Sequence, residues 1–133
     1  EDTEAFNSIM HAYSLPKDTD EEKMIRNNII EVATKNAIEI PFEIMKVSYE
    51  SIVIIEKMAL KGNPNSITDV GVAMHCVKAA IHGAFLNVKI NCNSLNDKKF
   101  VKNVLSKGNK IIKNTSILEK KVLSIVEKKL RIN

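Results

Sequence analysis

The scarcity of turn-forming residues constrains the fold of this chain more than any other feature. Only 4 glycines and 3 prolines occur in 133 residues, whereas an all-β fold needs many turns. Apolar residues instead recur at helical spacing through most of the chain. At this length the chain can bury one real core, so we predict a single domain over residues 1–133. The predicted fold class is all-α, an up-and-down multihelical bundle with long antiparallel helices.

The first half of the chain contains clear helix start and stop signals. An apolar stripe predicts an amphipathic helix over residues 2–13. Thr19 and Glu22 form a capping box that starts a second helix, which we expect to kink or break just before Pro41. A third helix over about 41–61 has apolar residues on more than one face and is predicted to be central.

A short turn separates this helix from a fourth one. Gly62 and Pro64 end the third helix, and Ser66 with Asp69 forms a second capping box. The fourth helix, predicted over 66–91, carries a stripe of small residues, namely Ala73, Cys76, Ala80, Gly83 and Asn87. Glycine costs about 1 kcal/mol per helix position relative to alanine, so Gly83 indicates tight helix packing or, as the less favoured reading, ligand contact.

Two asparagines on this helix call for a different explanation. Asn87 and Asn91 lie one turn apart among Val and Ile residues. A buried amide without partners costs about 1–3 kcal/mol, so the pair implies a network, an interface or a ligand.

The last helix, predicted over about 97–130 with a kink or short break near 108, is strongly basic. Residues 95–133 carry 11 basic and 3 acidic side chains, whereas residues 1–94 carry 9 and 13. A basic face could favour nucleic acid or acidic lipid. Apart from Phe100, no aromatic residue interleaves with these lysines, whereas a base-stacking surface requires several. A solvated lysine face is therefore favoured, and neither nucleic acid nor membrane is expected.

Cysteines and histidines give no sign of a metal site. Cys76 and Cys92 lie 16 positions apart on one predicted helix, roughly 24 Å and too far for a disulfide. Both are expected to be buried thiols of a cytoplasmic protein. His75 and His82 are seven positions apart without a nearby carboxylate, whereas helical metal ligands usually lie three or four apart, so no metal is predicted.

Two segments, in this order, carry a family resemblance. The first comprises Asp2-Thr3-Glu4-Ala5-Phe6, Met10, Leu15-Pro16-Lys17-Asp18-Thr19 and Glu21-Glu22-Lys23, and the second runs from Gly62 to Asn91. They resemble the cyclodeaminase/cyclohydrolase family of folate enzymes. That family includes the C-terminal domain of formiminotransferase-cyclodeaminase and stand-alone bacterial methenyltetrahydrofolate cyclohydrolases. Its members have a further glycine-rich helical segment upstream, so we expect this chain to be part of a longer protein.

The resemblance implies a one-carbon folate enzyme. Such an enzyme hydrolyses 5,10-methenyltetrahydrofolate to 10-formyltetrahydrofolate, deaminates 5-formiminotetrahydrofolate to the methenyl compound, or does both. Both reactions pass through a tetrahedral carbon beside positively charged nitrogen, and a carboxylate can stabilise that charge and move a proton. The resemblance identifies Asp2 as the catalytic carboxylate. The structural alternative is that Asp2 is an acid at a helix N-terminus, where its charge stabilises the helix by about 0.3–1 kcal/mol.

Further site residues are predicted from chemistry alone. Asn65, Asn87 and Asn91 suit the donor and acceptor edge of a pterin, and Lys17 suits the glutamate tail. Asp69 is a further candidate, although capping would account for it. No cofactor is expected beyond the tetrahydrofolate substrate, and the long apolar helix faces suggest a homodimer. The competing hypothesis is a non-enzymatic helical interaction module with a basic C-terminal helix.

Overall fold

The computed structural model describes the backbone of residues 2–130 and the side chains of residues 3–130. Within this range the chain forms four α-helices, one 3₁₀ turn at Pro64–Ser66 and no strand. The helices are α1 (Asp2–Ser14), α2 (Asp20–Lys61), α3 (Ile67–Cys92) and α4 (Lys98–Leu130). Successive helices run antiparallel, so the predicted up-and-down all-α bundle is confirmed. Within residues 2–130, none of the helices combines the length and apolar character needed to span a bilayer.

The predicted capping box fixes the start of α2. The Thr19 hydroxyl accepts from the Glu22 amide at 3.2 Å, and the Glu22 carboxylate accepts from the Thr19 amide at 2.9 Å. Backbone donors at Thr19 and then Asp18 hold the pKa of Glu22 below its usual range. Both orphan amides of this helix end are therefore satisfied by local side chains.

Pro41 does not divide α2. The prediction of separate helices before and after Pro41 is wrong, since one helix of 42 residues runs through it. A proline leaves the carbonyl four residues earlier without its helical donor, which here is the carbonyl of Ala37. The Asn91 side chain of α3 donates Nδ2–H to that carbonyl oxygen at 2.8 Å. Asn91 therefore supplies from a neighbouring helix the hydrogen bond that Pro41 removes.

The turn between α2 and α3 is also built differently from the prediction. Ser66 makes no side-chain hydrogen bond at the start of α3, so the expected capping box with Asp69 does not form. Asn63 caps the preceding 3₁₀ turn instead, because its side chain accepts a hydrogen bond from the Asn65 amide at 3.0 Å. In this 3₁₀ turn, the Ile67 amide donates to the carbonyl of Pro64. This amide at the start of α3 therefore has a partner without a serine cap.

The core lies between α2, α3 and α4, and α1 packs on the outer side of α2. Its fully buried members are mainly aliphatic and include Ile38, Met45, Ile52, Met74, Ile81 and Val122. The expected break near residue 108 does not occur, as α4 is one continuous helix from Lys98 to Leu130. Gly108 is buried against the ring of Phe85, which occupies the space that a Cβ would need. The glycine therefore permits close packing of α3 and α4.

Candidate functional site

A groove of about 810 Å³ lies between α1 and the first half of α2. We call it the α1–α2 groove. Apolar side chains of α2 and polar side chains of both helices line it. The lining residues are Asn7, Ser8, His11, Ile29, Val32, Ala33, Lys35, Asn36 and Glu39. Two amides, an imidazole and a carboxylate thus face one open space, a set that can recognise a polar heterocycle.

A second cavity of about 350 Å³ lies between α2 and the start of α4. We call it the α2–α4 cleft. It combines two phenyl rings with two ammonium groups, two carboxylates and an amide. The lining residues are Glu39, Phe42, Glu43, Lys46, Phe100, Asn103, Val104 and Lys107. Lys46 is paired with Glu43, whereas Lys107 has no ion-pair partner within residues 3–130. The cleft can therefore receive an aromatic ring that carries negative charge.

Lys35 links the α1–α2 groove to the residue that precedes α4. Its ammonium lies 2.8 Å from Oδ2 of Asp97 and 3.5 Å from Oε1 of Glu31. The hydrogen bond from Lys35, followed by that from the amide of Phe100, holds the pKa of Asp97 below its usual range. The same bond with Asp97 raises the pKa of Lys35. Lys35 is therefore a fixed cation at the edge of the α1–α2 groove.

The structure separates some of the predicted site residues widely. Lys17 is exposed in the connection before α2, whereas Asn65 and Asp69 are exposed beyond its other end. With 42 residues, α2 is about 63 Å long at 1.5 Å per residue. A single copy of the chain therefore cannot bring Lys17 and Asn65 to one folate molecule.

The other predicted residues lie near the middle of α2. Asn91 contacts Ala37, and Asn87, exposed one turn earlier on antiparallel α3, lies level with the turn of α2 that contains Pro41. The side chain of Asp2 lies outside the described residues, but α1 begins there. The first turn of α1 approaches the same part of α2, because Glu4 and Ala5 line a small cavity with Ile40.

Most of the small-residue stripe of α3 is exposed rather than packed within the chain, whereas Ala73 is half-buried against the core. A Cβ added at Gly83 would meet no atom within 4 Å. Cys76 is exposed too, so the prediction of two buried thiols holds only for Cys92, whose pKa is raised by burial. Apolar residues continue the stripe at helical spacing, with Val72, Leu86 and Ile90 each exposed by more than 60%. We call this surface, from Val72 to Ile90, the open face of α3.

The histidines on α3 occupy different environments. His75 is exposed, with Nδ1 3.9 Å from Glu119, which also binds Lys78 at 2.8 Å. His82 is half-buried, and its Nε2 has no hydrogen-bond partner among the described residues. Over residues 3–130, no group of three His, Cys, Asp or Glu side chains is arranged to hold a metal ion.

Comparison with known proteins identifies the family. Residues 1–110 match the formiminotransferase-cyclodeaminase family. This chain belongs to the formiminotransferase-cyclodeaminase family. A methenyltetrahydrofolate cyclohydrolase of Methylorubrum extorquens is 37% identical over 130 residues, which are 98% of this chain and 62% of the relative. A formimidoyltransferase-cyclodeaminase of Dictyostelium discoideum is 36% identical over 94% of this chain and 22% of its own length.

A solved structure supports the same assignment. The crystal structure of a formiminotetrahydrofolate cyclodeaminase from Thermotoga maritima matches with a TM-score of 0.71 at 27% identity. The match covers 97% of this chain and 58% of that one. This member of the formiminotransferase-cyclodeaminase family therefore spans about three fifths of the length of that cyclodeaminase and of the cyclohydrolase.

Sequence reasoning missed most of the residues that line the two cavities in this family member. His11 and Asn7 are four positions apart on α1, and Asn36 and Glu39 are three apart on α2. This spacing is the sequence signal that could have identified them, because residues three or four positions apart share one helix face. The pairing of Lys35 with Asp97 spans 62 positions and has no local signal.

Proposed function

We propose that the protein is a one-carbon folate enzyme that hydrolyses 5,10-methenyltetrahydrofolate, deaminates 5-formiminotetrahydrofolate, or does both. The observation that carries this proposal is the 37% identity to a methenyltetrahydrofolate cyclohydrolase over 98% of the chain. The α1–α2 groove supports it, because amide, imidazole and carboxylate groups from two helices converge there. The non-enzymatic interaction module is not favoured, since it leaves both motifs and the family match unexplained.

Both reactions need the same kind of assistance. In the hydrolysis, water adds to the cationic methenyl carbon and loses one proton. The bond from that carbon to N5 then breaks as the remaining hydroxyl proton moves to N5, and N10 keeps the formyl group. In the deamination, N10 attacks the carbon of the formimino group, whose nitrogen is protonated, a proton moves from N10 to the departing nitrogen, and ammonia leaves. A carboxylate near this carbon stabilises the positive charge and transfers the proton. Asp2 is proposed for this role, as the family resemblance implies.

Turnover of either substrate tests the proposed reaction. Loss of methenyltetrahydrofolate absorbance reports hydrolysis, and ammonia release from the formimino compound reports deamination. We expect the intact, folded protein to accelerate at least one of them in proportion to its concentration. Reaction of neither substrate above its spontaneous rate would contradict the enzymatic assignment.

We also propose that the enzyme is a homodimer joined through the open face of α3. Its exposed members, Val72, Cys76, Ala79, Gly83, Leu86 and Ile90, follow an alternating spacing of four and three positions. Such spacing aligns one continuous stripe along a helix, and its small members let a second helix approach closely. Ile44, Val47 and Ile54 of α2 add further exposed apolar surface. A second copy of the chain is the simplest partner that would bury this exposed apolar surface.

This dimer would bring Asn65 of one protomer towards the α1–α2 groove of the other. Residue 81 is the midpoint of the open face, with Asn65 lying 16 positions before it and Asp97 16 after it. A twofold axis near residue 81 therefore places Asn65 of one protomer level with Asp97 and its partner Lys35 in the other. The turn between α2 and α3 would then approach the α1–α2 groove of the second copy, and the folate site would lie close to the interface.

Gly83→Leu is expected to lower dimer affinity without unfolding the chain. The leucine has room in the isolated protomer because nothing lies within 4 Å of the added Cβ. A helix packed on this stripe would be pushed away. Light scattering at micromolar concentration should show a dimer for the parent and for the control Ser106→Leu on exposed α4, but a larger monomer fraction for Gly83→Leu. A monomeric parent protein would contradict the homodimer, and an unchanged Gly83→Leu dimer would place the interface elsewhere.

A further inference from the structure

Glu39 lies where the two cavities of the enzyme meet. It lines both the α1–α2 groove and the α2–α4 cleft. Its carboxylate is exposed and has no hydrogen bond or ion pair to the residues described. Lys35 and Glu43, one turn before and one turn after it, are both paired, with Asp97 and Lys46 respectively. Glu39 is therefore an uncompensated negative charge at the junction of two cavities.

The two cavities have different chemistry on either side of Glu39. The α1–α2 groove presents hydrogen-bonding side chains, with Asn7 and His11 on one rim and Asn36 on the other. The α2–α4 cleft presents the rings of Phe42 and Phe100 together with the free ammonium of Lys107. One cavity therefore suits a polar, flat heterocycle, and the other suits an aromatic ring with an anionic end.

A reduced folate has the same division in its covalent structure. Its pterin is a flat heterocycle with hydrogen-bond donors and acceptors, and its other half is an aminobenzoyl ring carrying a glutamate dicarboxylate. The one-carbon bridge between N5 and N10 joins the two halves and carries the positive charge of the methenyl compound. A substrate that spans both cavities places this bridge at their junction.

We propose that Glu39 is a catalytic residue that faces the one-carbon bridge, with the pterin in the α1–α2 groove and the aminobenzoylglutamate half in the α2–α4 cleft. This inference rests on the proposed function. In this arrangement the Glu39 carboxylate stabilises the cationic carbon and the protonated nitrogens that adjoin the tetrahedral intermediate. Lys107 binds the glutamate carboxylates, which take no part in bond making, so it contributes equally to substrate and transition-state binding.

Two variants separate these roles kinetically. Glu39→Gln keeps the size of the side chain but removes its charge, and we expect kcat to fall about 10²–10³-fold, the usual loss when one charge-stabilising group is removed. Lys107→Met is expected to raise KM about tenfold with little change in kcat, because it removes uniform binding. Glu50→Gln, an exposed carboxylate on the same helix, serves as the control and should match the parent in both constants.

A fragment of the substrate supplies a readout that is independent of turnover. p-Aminobenzoylglutamate should bind the parent and Glu39→Gln alike in calorimetry, but bind Lys107→Met more weakly. The inference is overturned, while the proposed function stands, if Glu39→Gln keeps the parent kcat or if Lys107→Met leaves fragment binding unchanged. A parent protein that turns over neither folate overturns both. Glu39 and Lys107 are exposed, and denaturant unfolding of each variant should confirm that its folding is unchanged.

Discussion

Asp2→Asn is expected to lower turnover of the folate substrate by about 10²–10⁴-fold, the range typical of acid–base catalysis. Asparagine keeps the size and hydrogen-bonding capacity of the side chain but cannot carry negative charge or accept the proton. The helix N-terminal role of Asp2 predicts a different result, since a terminal charge contributes only about 0.3–1 kcal/mol to stability. Steady-state kinetics and denaturant unfolding on the same preparations therefore distinguish the two roles.

Glu21→Gln is the matched control for Asp2→Asn. Glu21 is an exposed acid in the first turn of α2, so its loss reproduces the effect on a helix dipole without touching either cavity. We expect Glu21→Gln to keep the parent kcat and KM. Equal turnover in the parent, Asp2→Asn and Glu21→Gln would assign Asp2 to helix stabilisation and leave Glu39 as the remaining candidate carboxylate.

Asn91→Leu is expected to destabilise the fold by about 1–3 kcal/mol, the cost of leaving a buried hydrogen-bonding group unpaired. The group concerned is the carbonyl of the buried residue Ala37, which accepts a hydrogen bond from Asn91 at 2.8 Å. This carbonyl lacks its normal helical donor because residue 41 is a proline. The measurement is the free energy of unfolding in denaturant. Asn109→Leu, on the exposed surface of α4, should change it by less than about 0.5 kcal/mol.

Restoring the backbone donor should rescue this loss. Pro41→Ala returns an amide that can donate to the Ala37 carbonyl, so Asn91→Leu should cost little in a Pro41→Ala background. The double-mutant cycle isolates this coupling from the packing changes that each substitution causes by itself. Additive effects of the two substitutions would show that Asn91 does not compensate for Pro41.

The helix content of this fold could be predicted from sequence because its signals are local. The Thr19–Glu22 capping box and the apolar stripes specify where helices begin and which face is buried. The continuity of α2 could not be predicted, since it depends on Asn91, 54 positions from Ala37. Gly108 was misinterpreted for a similar reason, because its partner Phe85 belongs to another helix.

The candidate site was harder to predict than the fold. The sequence predicts a partner for Asn91 on its apolar helix, and the structure supplies one in the carbonyl of Ala37. Asn87 is exposed, so the argument from a buried amide does not apply to it. Lys17 and Asn65 were assigned to one substrate on chemistry alone, and only the length of α2 shows that they are far apart in one chain. Glu39 attracted no attention in the sequence because a solvated helix face accounts for an isolated glutamate equally well.

The rate at which methenyltetrahydrofolate absorbance decays in the presence of the intact protein tests the central claim most directly. The cationic substrate hydrolyses slowly without a catalyst, so the relevant quantity is the rate above that background at several protein concentrations. A cyclohydrolase predicts a rate that rises in proportion to protein concentration, saturates with substrate and is largely lost in Asp2→Asn. A decay that stays at the spontaneous rate, accompanied by no ammonia release from the formimino compound, would contradict the account.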